Sequence, residues 1–289
     1  MQPPKEILRR SLESPTTQHF HNNNFMIALG LGTLSGTILR SFIGEGVIIH
    51  TAEYSAEECR FGMHYHENPH LCFLLQGEDT ESRKSGSYTR KAGDMFFYHS
   101  GEEHSSLSRA HLTKNTIIEF EQSFLARYSV SETQLEHAVQ SRPDAKFLLL
   151  KMQKELVIAD SHSSVSIQTL LLEFISHSAK LSVGAAPLWA RQVSELLRDK
   201  WNEPVSLEEL SLAVGTHPVT ISKYFRKYFS CTLGEFLRKL KVEKSLALVK
   251  NPHLPLTEIA YQCGFSDQSH FTKVFKETTG FLPKEFRKC

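Results

Sequence analysis

Between Phe25 and about Phe120 the apolar positions fall in short runs, "GVIIH", "LCFLLQG", "DMFFYH" and "NTIIEF", separated by turn-formers such as "ENP" and "KSGS". Short runs rich in Ile, Val, Phe and Tyr at this spacing predict strands of an all-β sandwich or barrel. From Glu132 to Leu181 the period lengthens. "FLLLKMQKELVIA" and "SIQTLLLEFISHSAKL" repeat their apolar residues at helical spacing without proline or glycine, which predicts two helices that either cap the barrel or pack against a second copy. The small-residue stretch "SVGAAP", Ser182 to Pro187, marks a seam. Beyond it helix dominates: Trp189 to Trp201 is amphipathic, Ser206 and Glu209 form a capping box, and Pro218 stands where a helix would open. The expected class is α+β with two domains: a β-barrel at 1–130 with helices at 131–182, and an all-α domain at 183–289.

That last region contains a repeat. "LEELSLAVGTHPVTISKYFRKYFSCTLGEF" from Leu207 aligns with "LTEIAYQCGFSDQSHFTKVFKETTGFLPKEF" from Leu256, with one extra residue in the second turn. In each copy a small residue (Ser211, Ala260) lets two helices approach, and a glycine four positions on (Gly215, Gly264) can take positive φ. An apolar pair then buries one face of the next helix: Ile221 with Phe225, or Phe271 with Phe275. The opposite face is left with Val219, Thr220, Ser222, Lys223, Arg226 and Lys227 in one copy, and Gln268, Ser269, His270, Thr272, Lys273 and Lys276 in the other. Hydrogen-bonding and cationic side chains of this kind suit base edges and phosphates. A helix from about Gly234 to Lys250 would be on the order of 26 Å long and could hold both units along one side of a duplex.

Charge supports this division. From Pro187 onward there are 16 Lys and Arg against 11 Asp and Glu, whereas the rest of the chain is net acidic and holds 12 of the 15 histidines. Five cysteines with no CxxC pair argue against a disulfide framework or a cysteine zinc site. No run approaches the roughly 18 apolar residues of a membrane span, and "MQPPKEILRRSLESPTTQHF" lacks the features of a secretory signal, so the expectation is a cytoplasmic protein with no membrane partner.

With those residues in view, the final hundred positions resemble the DNA-binding domain of AraC/XylS-type transcription regulators. "PVSLEELSLAVGTHPVTISKYFRKYF" stands as the first helix-turn-helix and "LPLTEIAYQCGFSDQSHFTKVFKETTGFLPKEFRK" as the second. The resemblance implies one chain reading two successive major-groove segments of promoter DNA. Val219, Thr220, Ser222 and Lys223, then Gln268, Ser269, Thr272 and Lys273, would stand at base-reading positions, with Arg226 and His270 nearer phosphates. Three positions depart from the family: His217 for a Ser cap, Ser230 for a Gly after the helix, and Leu246 for an Arg in the linker helix.

The β-rich half carries "HYHENPHLCFLLQG" and "GDMFFYHSGEEHSSLS". Alternation puts His64 and His66 on one strand face, and a barrel can bring His104 beside them, with His70 nearby. Such imidazoles could surround a divalent metal (Zn, Fe, Ni or Cu) or simply pack around an organic-ligand pocket. The spacing resembles the two cupin motifs, whose metal-ligand positions His64, His66 and His104 match. His70 stands where that family has Glu, His99 where it has Pro, and Ser108 where it has Asn. Cupin-like barrels form the usual sensor half of AraC-type regulators, mostly without metal. No cofactor is required by this reading.

The two resemblances together imply a non-enzymatic, ligand-responsive, sequence-specific DNA-binding transcription regulator. Its implied partners are double-stranded DNA, a small-molecule or metal effector, a second copy as homodimer, and RNA polymerase for an activator. The alternative is a metal-dependent cupin enzyme of dioxygenase or isomerase type with a DNA-binding tail.

Overall fold

The computed structural model describes residues 27–55, 62–108, 112–141, 143–179 and 187–289. The Ser182–Pro187 seam except Pro187, the stretch Met1 to Phe20, and Cys59 lie outside these described residues. Among them the chain is α+β, with ten strands followed by eleven helices.

The strands are β1 (Ile27–Leu29), β2 (Thr37–Gly44), β3 (Val47–Ser55), β4 (His64–His66), β5 (His70–Gln76), β6 (Glu78–Arg83), β7 (Gly86–Lys91), β8 (Met95–Tyr98), β9 (His104–Ser108) and β10 (Leu112–Phe120). They form two five-stranded sheets, in the orders β1-β4-β9-β6-β7 and β2-β3-β10-β5-β8. The second sheet is covered on both faces. Along β5, Leu71, Phe73 and Leu75 belong to the main core, while Cys72 belongs to a small cluster inside the β-domain with Tyr98 and Ile117. Side chains alternate across a strand, so "HLCFLLQ" reads as a continuous apolar run because each of its faces meets a different interior.

Helices cover the outer face. They are α1 (Gln122–Arg127), α2 (Glu132–Ser141), α3 (Pro143–Ile158) and α4 (Ser163–Ala179). Where the sequence predicts two helices between Glu132 and Leu181, three are present. The additional one, α2, among its described side chains buries only Leu135 and Ala138 deeply and half-buries Val139, too sparse a stripe to announce itself. The inner faces of α3 and α4 cap the sheet, with Leu149, Leu150, Ile167, Leu171 and Phe174 in the main core. Within this apolar contact Thr51 and Thr116, on neighbouring strands, both donate to the Gln153 side-chain oxygen of α3, at 2.7 and 2.9 Å. A buried amide satisfied twice fixes the register of helix on sheet.

The C-terminal helices are α5 (Leu188–Asp199), α6 (Leu207–Val214), α7 (Pro218–Phe229), α8 (Leu233–Lys250), α9 (Leu256–Gln262), α10 (Gln268–Thr279) and α11 (Pro283–Phe286). No helix among the described residues is long and apolar enough to cross a membrane.

His99, at the end of β8, fastens α2 to the sheet. Its Nδ1 meets Glu132 at 2.9 Å and its Nε2 meets Glu136 at 3.2 Å. Burial pulls the imidazole pKa down, but the bonds to Glu136 and Glu132 outweigh it and hold the pKa above its ordinary value of 6.5. A raised folded-state pKa contributes stability that is complete below the unfolded value and lost as pH rises through the folded one. The wild-type urea midpoint should therefore fall between pH 6 and pH 8.5 more steeply than that of His99→Ala. Parallel pH profiles for the two proteins would remove this clamp.

Candidate functional site

The helix-turn-helix units are built by local rules. Ser206 caps α6 in a reciprocal box: its Oγ accepts from Glu209 N at 3.1 Å, and Glu209 Oε2 accepts from Ser206 N at 2.8 Å. Gly215 closes α6 in the left-handed region at φ +64°. Next, α7 opens with Pro218 as its first residue, and the His217 ring accepts from Val219 N at 3.3 Å. Histidine thus fills the capping place itself. In the second unit Gly264 turns at φ +69°, and Asp267 caps α10 by accepting from His270 N at 2.7 Å.

Helices α7 and α10 divide alike. Ile221 and Phe225 of α7 are buried, as are Phe271 and Phe275 of α10. Outward stand Val219, Ser222, Lys223 and Arg226 on α7, and Gln268, Ser269, His270 and Lys273 on α10; Thr220 and Thr272 are half-buried. Some of these side chains are already oriented. Gln268 Oε1 accepts from Thr257 Oγ1 of α9 at 2.7 Å, and His270 Nδ1 lies 3.2 Å from Ser266 Oγ. Tyr224, 39% exposed beside Lys223, also belongs to the α7 surface, and nothing in the repeat pattern singles it out.

In the β-domain, β4 and β9 run antiparallel with His64 opposite His104. The potential ligand atoms of His64, His66 and His104 lie within 4.8 Å of one another, and all three rings are buried. His64 Nδ1 meets the Gly62 carbonyl at 3.0 Å, and His104 Nδ1 meets the Glu102 carbonyl at 2.9 Å. A carbonyl only accepts, so each Nδ1 carries the proton and each Nε2 carries the lone pair. Burial, then His104, pulls the His64 pKa down to about 4; burial, then His64 and His104, takes His66 to about 3. These rings are neutral at neutral pH. His70 is not one of the three: its ring stacks on Tyr98 at 4.4 Å, and its centroid lies 4.2 Å from that of His66.

The histidines line a cavity of about 70 Å³ together with Tyr54, Asp79, Arg90, Tyr98 and Asn115. That is room for an ion or a few non-hydrogen atoms, a water needing roughly 10–15 Å³ on the same measure. An ionic network closes one wall. Arg90 donates to both Asp79 oxygens at 2.6 and 2.5 Å, and also to Tyr98, whose hydroxyl donates to Glu81. Arg83 donates to Glu81 at 2.6 Å and to Glu102 at 2.7 Å. Three carboxylates thus face two guanidiniums. Further along β10, Glu119 accepts from Gly32 N at 2.6 Å, and burial pushes its pKa up to about 7. None of Asp79, Glu81, Arg83, Arg90, Tyr98 or Glu119 is legible as a site residue in the sequence. Asp79, Glu81 and Arg83 alternate along β6, but Arg90, Tyr98 and Glu119 stand on β7, β8 and β10, and only the pairing of the strands brings those together with them.

Comparison with known proteins bears on the C-terminal domain most directly. Residues 210–288 match the family described as "Helix-turn-helix domain". Similar proteins include the HTH-type transcriptional regulator GbdR of Pseudomonas aeruginosa, 28% identical over 97 residues that cover 34% of this chain and 26% of GbdR. The chain therefore spans about a quarter of the length of that relative. The HTH-type transcriptional activator RhaR of Cronobacter sakazakii is 22% identical over 246 residues, covering 78% of this chain and 87% of RhaR. Among solved structures, ToxT from Vibrio cholerae aligns over 84% of this chain and 98% of its own, at 13% identity and a TM-score of 0.36, too distant for any inference. The C-terminal domain is a helix-turn-helix domain of the AraC type.

Ser230 ends α7 in the left-handed region at φ +60°, where the second unit places Gly280 at φ +83° after α10. A β-carbon there carries strain that glycine lacks. Ser230→Gly should stabilise the protein by roughly 0.5–1 kcal/mol, read as a higher urea midpoint at unchanged slope. An unchanged or lower midpoint would remove the strain argument.

Proposed function

We propose that this protein is a ligand-responsive, sequence-specific DNA-binding transcription regulator, with a cupin-like β-barrel as its sensor and the tandem helix-turn-helix units as its reader. The observation that carries the reading is the shared division of α7 and α10. Each buries an aromatic and aliphatic stripe and turns hydrogen-bonding and cationic side chains outward. Val219, Thr220, Ser222 and Lys223 of the first unit, and Gln268, Ser269, Thr272 and Lys273 of the second, would read base edges. Arg226 and His270 would meet phosphates. The relatives that share this region are transcriptional regulators by name, which supports the same reading.

Its test is binding to genomic fragments selected by the wild-type protein, in a gel-shift series at one fixed salt concentration. Lys273→Ala should weaken specific binding by about tenfold or more, the cost of one good base contact. Lys91→Ala, an exposed barrel lysine in a loose 3.9 Å pair with Glu78, should leave binding unchanged. Equal losses in the two variants would count against the reading.

For the sensor, we propose that His64, His66 and His104 hold a divalent metal ion. Three neutral imidazoles with converging ligand atoms, two of them oriented by carbonyl partners, fit a borderline cation. Bound there, the metal would supply a positive centre linking β4 to β9 and a coordination position for an effector. The chain's own part is to keep the rings neutral and fixed. Equilibrium dialysis against zinc, read by elemental analysis, should give about one ion per chain for the wild type and none for His104→Ala. Equal zinc content in both proteins would refute the site.

A further inference from the structure

Helix α8 passes through two separate cores. Its first half sends Phe236 and Leu240 into a cluster with Val193 and Leu197 of α5, Leu210 of α6, and Ile221 and Phe225 of α7. Among the described residues that cluster draws no side chain from before Trp189. Two positions further on the helix changes partners. Val242, Leu246 and Val249 join the main core, which includes Ile259, Phe271 and Phe275 of the second unit together with α3, α4 and the sheet. The second helix-turn-helix unit therefore shares its interior with the β-domain, and the first has a buried interior of its own that meets the main core at half-buried Trp201.

Ionic contacts mark the changeover. Lys239 pairs with Asp144 of α3, and Glu243 accepts from Lys146 of α3 at 2.8 Å. Glu243 also lies 3.9 Å from Arg198 of α5, an ion pair without a hydrogen bond, and its Oε2 is buried with no hydrogen-bond partner. Its hold on the α3 side is thus the tighter one. One turn further along α8, Leu246 is fully buried against the turn between β7 and β8. A β-carbon on Gly93, at φ +97°, would sit 2.9 Å from Leu246 Cβ. That contact keeps residue 93 a glycine; Leu246 itself is fully buried in the apolar main core, where the arginine of the family's linker helix would bury a charge. At the far end Lys154 of α3 donates to Glu285 at 2.9 Å and lies over the Phe281 ring.

We infer that the second helix-turn-helix unit is a fixed part of the sensor body, and that the sensor reaches the first unit chiefly through α8, gripped at Asp144–Lys239 and Lys146–Glu243, with half-buried Trp201 packed against both cores beside it. The first unit opens and closes on its own. For its regulatory meaning this inference rests on the regulator reading above: a change in the sensor would shift the second unit directly and the first as the load on a lever. Cores that share no fully buried side chain open as separate cooperative units, and amide exchange reports each one separately.

The test is hydrogen–deuterium exchange on the full-length protein. Ile221→Ala removes a fully buried side chain of the first unit and should speed exchange in α6 and α7 by at least about tenfold, leaving α3, α9 and α10 unchanged. Asp144→Lys should speed exchange in α3, α9 and α10 while α6 and α7 keep their wild-type rates, and Lys239→Asp added to it should restore protection. If Ile221→Ala speeds α9 and α10 as much as α7, or if Asp144→Lys moves both units equally, the domain is one cooperative body and the inference fails. Neither arm uses DNA, so its failure leaves the regulator reading standing, and a failed DNA-binding test leaves this one unaffected.

Discussion

The period-two alternation of the sheet that carries β5, β8 and β10 is the constraint on which the rest of the molecule depends. Leu71, Phe73, Leu75, Phe97, Ile118 and Phe120 point outward and create an apolar surface that only helices can cover. His70, Cys72, Tyr98, Asn115 and Ile117 point the other way and line the cavity. A slip of one residue in any of these strands would exchange the two sets, placing imidazole and amide groups in the helical core and phenylalanine in the cavity. Register therefore determines at once where α3 and α4 dock and which groups the cavity presents.

The same sheet gives the β-domain its unusual interior. A wall of buried carboxylates and guanidiniums is costly to desolvate and is tolerated only where nearly every charge is paired and hydrogen-bonded. Arg90 meets that demand with both oxygens of Asp79, and Arg83 with Glu81 and Glu102. Burial keeps the neighbouring histidines neutral and holds the Tyr98 phenol well above its ordinary pKa. The result is a small rigid polar chamber whose donors and acceptors are set before anything enters it. Pre-organisation of this kind suits recognition, since little ordering is left for the bound state.

Between the chamber and the C-terminal helices the connection is the outward surface of that sheet with its helices. Because α3 touches both the sheet and α8, the second helix-turn-helix unit shares the core of the β-domain, with no apolar boundary between them. The apparent seam after the helical region divides the chain by composition. The main core, by contrast, draws residues from both sides of it.

The sequence alone determined the features that depend on near neighbours. The strand-rich and helix-rich regions, the capping box at Ser206 and Glu209, the left-handed glycines Gly215 and Gly264, and the two-copy division of α7 and α10 follow from spacing and residue type within a few turns of chain. The alternation that places His64 and His66 together is likewise local. Only the tertiary structure set His104 opposite His64, packed His70 against both Tyr98 and His66, and brought Tyr98 and Glu102 to the Asp79, Glu81 and Arg83 of β6 and the Arg90 of β7. It alone gave Leu246 its reason, in full burial within the main core. Local pattern records which side of an element is buried. What that side is buried against is decided by closure of the whole chain.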